Sequence, residues 1–254
     1  MHLNEDSYLL RRWTGFLRKL IKNSHKILAH NPSSQTILEG KGFDNVIHFG
    51  DSRIDQVLKN KLSPIQVAWP DSSKPVICFG SIGKEDFEMV AHCIDSYTER
   101  NIILAPHDVD ISTIQKLTDK INASFSLFSK EGIHPQNSIL IIDTMGDLKN
   151  LYASSSIAYI GGGFKKGPHN ILEPLVFGNT VITGPNIHKF PMARYLKSSG
   201  LLHVIERQEQ LARMIGEISQ TNIEDQQKLI ELFLEGNKSK LGLLLNELKE
   251  LGFD

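Results

Sequence analysis

The densest chemical signal in the chain is Gly161-Gly162-Gly163-Phe164-Lys165-Lys166-Gly167-Pro168-His169-Asn170-Ile171-Leu172-Glu173-Pro174. A glycine-rich turn leaves an apolar run and enters a helix whose first N–H groups are free and whose dipole favours an anion, so the segment suits a phosphate. The spacing is neither Gly-x-Gly-x-x-Gly nor Gly-x-x-x-x-Gly-Lys-Ser/Thr, so neither a nicotinamide cofactor nor ATP hydrolysis follows from it. Asn170 and Glu173 also fit a plain capping box, Asn170 closing the helix start and Glu173 reaching back to its N–H. Both readings stand at this level. No metal site is visible, because the ten histidines form no His-x-x-x-His pair or ligand cluster.

These residues need a scaffold. Apolar runs rich in Val and Ile recur at Ile27–Ala29, Val46–Phe49, Val76–Phe79, Ile102–Leu104, Ile139–Ile142, Ile157–Ile160 and Val181–Ile182. Each reads as a buried parallel strand. Helical patterns such as 85–97 and 111–121 lie between them, which predicts a doubly wound α/β fold with a Rossmann-like parallel sheet. Ligands of such sheets sit at the carboxyl ends of the strands. The informative residues are therefore Gly80-Ser81, Pro106-His107, Asp143 to Asp147, Gly161 to Asn170 and Gly184-Pro185. After Leu201 the pattern becomes helical, at about 208–218, 223–234 and 239–251.

With 254 residues, 40% apolar and 22% charged, the chain can bury one large core or two modest ones. A formal net charge of -1 gives no reason to expect nucleic acid as a partner. Two cysteines without a Cys-x-x-Cys, Cys78 and Cys93, fit a reducing compartment and read as buried small apolar residues. No apolar run is long enough to span a bilayer.

The stretch from Ser138 to Lys197 resembles the bacterial 3-deoxy-D-manno-octulosonic acid (Kdo) transferases in order and spacing. The matching pieces are Asp143-Thr144-Met145-Gly146-Asp147-Leu148, Ile157 to Phe164, His169 to Pro174, Phe177-Gly178 and Val181 to Pro185. Gly50-Asp51-Ser52-Arg53, Gly80-Ser81 and Ala105-Pro106-His107 fit as well. The resemblance covers essentially the whole chain but only the later part of the family's usual length. It implies the C-terminal domain of a GT-B glycosyltransferase, with CMP-Kdo as donor, a lipid A precursor as acceptor and no cofactor or metal. Residues 1–52 would then be the end of an N-terminal acceptor domain plus linker, and 53–254 the nucleotide-sugar domain with its C-terminal helices.

Carried over position by position, Pro106 and His107 would lie against the nucleotide and Met145, Gly146 and Asp147 would line it. Asn170, Ile171, Leu172 and Glu173 would hold phosphate and ribose, and Gly162, Gly163 and His169 would complete the donor site. Ser81 is either an ordinary helix N-cap or a point where backbone N–H groups meet the sugar carboxylate. Arg53 could meet an anionic donor or serve the surface, and His188 and Lys189 suit a solvated loop. Two departures stand out: Asp147 replaces the family's usual Glu, and Pro168 replaces a glycine in a loop one residue shorter, which removes a possible N–H donor. The family's general base is a Glu in a glycine-rich loop of the N-terminal domain, and nothing before Gly50 matches it. No catalytic residue is therefore expected in this chain. The resemblance also implies the cytoplasmic face of the inner membrane. Tyr8 to Lys22 forms a basic amphipathic pattern, which suits either an anionic membrane surface or packing on another domain. The competing readings are another GT-B transferase using a UDP-sugar and a nucleotide-binding module without activity.

Overall fold

A computed structural model describes residues 15–218 and 220–250. The described residues form two compact units, one of residues 15–56 with 232–250, the other within 57–231. In the first unit β1 (Ile27–Ala29) and β2 (Val46–His48) pair in parallel, Ile27 opposite Val46. The helix Pro32–Gly40 connects them. It starts where Asn31 Oδ1 accepts the Ser34 N–H at 2.8 Å, with Pro32 in the first turn, where its missing N–H costs nothing. Ile27, Ala29, Leu38, Phe43 and Val46 form its small core.

The helices near the end of the chain correct one sequence expectation. Residues 232–250, expected to belong with the larger domain, pack with the first unit. Asp51 N–H donates to Asn237 O at 3.0 Å, and Lys240 N–H donates to Phe49 O at 2.7 Å. An amphipathic pattern shows that a helix has a face to bury, but not which body will cover it.

The second unit holds a seven-stranded parallel sheet in the order β5-β6-β4-β3-β7-β8-β9. The strands are β3 (Val76–Ile82), β4 (Asn101–Pro106), β5 (Ser126–Leu127), β6 (Ile139–Ile141), β7 (Ile157–Ile160), β8 (Thr180–Thr183) and β9 (Leu202–Val204). Ile77, Phe79, Ile102, Leu104, Ile141, Ile157, Tyr159 and Ile182 enter one core cluster. Their neighbours Cys78, Ile103, Leu140, Ala158, Ile160 and Val181 are also fully buried. Burial on both faces explains why these strands read as continuous apolar runs rather than alternating ones. The two strands that sequence reading missed, β5 and β9, are the short edge strands, where only part of the backbone is covered.

The order has a functional consequence. From β3 the chain builds outward through β4, then returns to β7 on the opposite side of β3. This reversal leaves a crevice at the carboxyl ends of β3 and β7, the place where doubly wound sheets bind ligands. Cys78 and Cys93 take no part in it: both thiols are buried, and burial pushes Cys93 up to about 12.

One buried amide ties the helix Leu172–Val176 to the turn before β7. Asn179 is fully buried, and its Nδ2 donates to Tyr152 O at 3.0 Å and Pro174 O at 3.1 Å, while its Oδ1 accepts from Ser155 Oγ at 2.7 Å. Replacing Asn179 with Ala leaves buried polar groups unpaired and should cost about 1–3 kcal/mol. Urea denaturation checks this, and an unchanged midpoint would refute the stabilising role of the amide.

Candidate functional site

At the crevice, backbone meets backbone. β3 shifts register against β4 between Gly80 and Ile82. Ser81 within the shift takes φ +52, the one non-glycine residue with positive φ among those described. Such a conformation costs free energy and persists only where the surroundings hold it. Opposite, β7 runs into Gly161–Gly163, and Gly161 N–H donates to Gly80 O at 3.0 Å. A Cβ on Gly161 would lie 2.4 Å from Ser81 O and 2.7 Å from Ile82 Cα. One on Gly163 would lie 2.4 Å from Gly184 N and 2.6 Å from Thr183 Oγ1. Three loops thus touch along their main chains, which only glycine allows.

The turn then closes on itself. Gly162 O accepts from Lys165 N–H and Gly167 N–H, each at 3.0 Å, and Gly163 O accepts from Asn186 N–H at 2.9 Å. The Gly163 and Phe164 N–H groups have no acceptor among the described residues. They are the donors that the turn leaves for an anion. The following helix, Leu172–Val176, contributes less than its sequence suggests. It has five residues, Leu172 N–H is already bonded to Asn170 Oδ1 at 3.2 Å, and Pro174 has no N–H.

Beneath the turn lies Asp86, with no exposed surface. Its Oδ2 accepts the Gly83 N–H at 2.9 Å and the Gly162 N–H at 3.3 Å, and its Oδ1 accepts the Tyr159 hydroxyl at 2.9 Å. Burial pushes its carboxyl above the ordinary range, against the pull of these donors. Sequence reading did not place Asp86 in the site. An acid at the start of a helix reads as ordinary N-terminal polarity, and only the folded chain shows the Gly162 N–H above it.

His107 and His169 stack with ring centroids 4.2 Å apart and planes 22° from parallel. His107 follows Pro106, which is buried at the end of β4, and is itself exposed. Burial lowers the pKa of half-buried His169, the neighbouring His107 lowers it further, and Asp86 pulls the other way. The pair offers two flat rings and N–H donors.

Asn170 and Glu173 bond side chain to side chain, Asn170 Nδ2 donating to Glu173 Oε1 at 2.9 Å. This differs from the expected capping box, in which Glu173 reaches a backbone N–H. Ile171 and Leu172 are buried and serve packing with their side chains. In the β6 loop Met145 is exposed, Gly146 takes φ +92, and Asp147 accepts the Thr144 hydroxyl at 2.5 Å. Lys149, just beyond it, acts electrostatically on Glu173. Ser81 lies within β3, while the next helix begins at Phe87, so the N-cap reading of Ser81 is corrected. Arg53, in the first unit, is held by Asp51: its Nε lies 3.0 and 3.1 Å from the two carboxylate oxygens. His188 and Lys189 are exposed.

Burial pushes Glu173 above the ordinary carboxyl range, opposed by the Asn170 hydrogen bond and by Lys149. An acid with a raised folded pKa binds its proton more tightly in the native state. Its favourable contribution is therefore complete below the ordinary carboxyl range and is lost as pH rises through the raised value. Glu173→Gln removes this loss while keeping an acceptor for Asn170. Stability measured across about pH 4 to 7 should move progressively in favour of the variant as pH rises. Parallel curves would show that Glu173 is not strained by burial.

No family model matches the chain. It is 31% identical over 188 residues to the 3-deoxy-D-manno-octulosonic acid transferase of Chlamydia muridarum (strain MoPn / Nigg), covering 72% of this chain and 41% of the relative. The enzyme of the same name from Rickettsia prowazekii (strain Madrid E) is 27% identical over 182 residues, 68% of this chain and 40% of the relative. The match thus spans about two fifths of the curated relatives' length. Among solved structures, the C-terminal CMP-Kdo binding domain of WaaA from Acinetobacter baumannii superposes with a TM-score of 0.55 at 18% identity, covering 70% of this chain and 98% of that domain. UDP-GlcNAc 2-epimerase from Neisseria meningitidis gives 0.57 at 14% identity, covering 88% and 60%. At such identities these superpositions establish the Rossmann-like α/β fold. The sequence likeness goes further: the chain belongs with the 3-deoxy-D-manno-octulosonic acid transferases, as a relative of their C-terminal part.

Proposed function

We propose that this chain supplies the donor-binding half of a Kdo transferase, holding CMP-Kdo at the β3–β7 crevice while Kdo passes to a lipid A precursor. The observation that carries the reading is the 188-residue likeness to transferases of that activity. The chain also covers nearly all of a domain described as binding CMP-Kdo. In the crevice the Gly163 and Phe164 N–H groups would meet the donor phosphate, with His107 and His169 presenting rings and N–H donors beside it. Pro106 and the Met145–Asp147 loop would bound the nucleotide, and Asn170 and Glu173 would take the ribose, since a carboxylate accepts from paired hydroxyls. Ser81 would set the backbone facing the sugar carboxylate.

The chain's part in the chemistry is to bind and orient the leaving nucleotide and to stabilise charge on its phosphate with preorganised N–H donors. Direct displacement at the anomeric carbon, with inversion, also needs a base for the acceptor hydroxyl. None of the residues named here is assigned that task. The lipid acceptor would place the reaction at the cytoplasmic face of the inner membrane. Among the described residues no helix is long and apolar enough to cross a membrane. The helix Gly15–Lys22 carries exposed Phe16 and Leu20 beside Arg18, Lys19 and Lys22, chemistry that suits an anionic surface. The remainder of the expected pattern, Tyr8 to Thr14, lies outside the described residues.

Calorimetric titration of the purified chain tests the ligand. CMP should bind at least about tenfold more tightly than UMP or ADP, a difference of about 1.4 kcal/mol. Equal affinity for UMP would overturn the CMP reading in favour of a UDP-sugar enzyme. Glu173→Gln should weaken CMP binding in a folded protein, and unaltered affinity would return this residue to a structural role.

A further inference from the structure

We infer that Asp86 is the positioning residue of this site, a buried clamp that locks the Ser81–Gly83 loop to the Gly161–Gly163 turn in the arrangement that the ligand needs. The inference rests on the reading of the β3–β7 crevice as the nucleotide site. Asp86 itself is covered by the turn and is assigned no contact with ligand.

The hydrogen bonds make the case first. The carboxylate joins three segments: its own loop through Gly83, strand β7 through Tyr159, and the turn through Gly162. All three partners are donors, so the ionised form matches its surroundings, and no Lys, Arg or His of the described residues lies within ion-pair distance of it. A buried carboxylate without a cation is costly, and a well-packed apolar side chain would serve stability as well or better. What an apolar side chain could not do is accept the Gly162 N–H and so choose the orientation of that peptide.

That orientation decides what the turn presents. With Gly162 N–H directed down to Asp86, Gly162 takes φ +84 and its carbonyl receives Lys165 N–H and Gly167 N–H. The Gly163 and Phe164 N–H groups come next in the chain and stay free. On the other side, a Cβ at Gly161 would sit 2.8 Å from Asp86 Oδ2 as well as against Ser81 O and Ile82 Cα. The same carboxylate therefore abuts both the strained Ser81 segment and the turn. Releasing it frees each to relax independently, and the donors lose their common aim. Precise placement of donors before the ligand arrives is what makes such a site effective.

The test uses the full chain with Asp86→Ala, Asp86→Asn and Tyr159→Phe. Asn can turn its carbonyl oxygen to the two glycine N–H groups and its amide to the Tyr159 oxygen, so it keeps the geometry without the charge. CMP affinity should fall at least about tenfold in Asp86→Ala and return to within about threefold of the parent in Asp86→Asn, with Tyr159→Phe in between. In ¹⁵N-resolved proton spectra without ligand, the Gly83 and Gly162 amide protons should shift upfield in Asp86→Ala and less in Asp86→Asn, a change that general loss of stability does not produce. Asn101→Ala serves as a stability control, because Asn101 is buried at the opposite end of β4, where its Nδ2 donates to Asp71 O at 2.8 Å. It should lower stability and leave CMP affinity unchanged.

Parent-like CMP affinity in folded Asp86→Ala, or an equal loss in Asn101→Ala, would overturn the inference. If Asp86→Ala does not fold, unmoved glycine amides in Asp86→Asn together with unchanged affinity in Tyr159→Phe would overturn it instead. Failure of the parent protein to bind CMP would defeat the nucleotide reading alone, since the amide shifts report the clamp without ligand.

Discussion

The site depends on how closely three main chains approach one another. Where β3, β7 and β8 end, the loops around Ser81, Gly162 and Gly184 pack at distances that leave no room for a side chain. Main-chain contact of this kind is stiff, because there are no rotamers to adjust and each peptide's orientation is set by its neighbour's hydrogen bonds. The glycines therefore do more than permit a bend. They bring the dipoles of one loop within reach of the next, so that a displacement of any one is felt by the others.

Within that frame Asp86 has no cation at ion-pair distance among the described residues, while Lys165 of the turn pairs with Glu85 at 3.6 Å. The first unit holds its buried Asp51 with the guanidinium of Arg53, and its carboxyl stays below the ordinary range because that pairing outweighs the cost of burial. Asp86 in the second unit has only uncharged donors, and its carboxyl is pushed up. The difference suits their surroundings. A guanidinium beneath the glycine turn would compete for any anion placed above it, whereas N–H and O–H donors neutralise Asp86 locally and leave the upper face of the turn available. The stacked histidines add flat surface and directed N–H groups, and burial together with the neighbouring His107 lowers the pKa of His169.

Much of this was legible in the residues themselves. The Val- and Ile-rich runs gave away the central strands because a parallel sheet covered on both faces needs apolar residues at every position. The glycine-rich turn and Asn170-x-x-Glu173 marked the end of β7, and Pro106-His107 the end of β4, because loops there carry residues that no helix or strand interior would favour. Short edge strands such as Ser126–Leu127 carry too few residues for a pattern and went unseen. The helix after Asn170 looked like a strong anion site in one dimension, yet its five residues, its Pro174 and the bond from Leu172 N–H to Asn170 leave it a weak one.

Sequence alone determined the fold class and the family and pointed to the strand ends as the candidate site, since each follows from local composition, periodicity or the order of motifs along the chain. Tertiary structure alone decided that the chain from Leu232 onward joins the first unit, that Ser81 carries positive φ rather than capping a helix, and that Asp86 sits under Gly162. These are matters of which distant segments meet. Residues 86 and 162 come together only because β3 and β7 lie side by side in the sheet, and that adjacency is set by packing energies summed over the whole core rather than by any residue near either position.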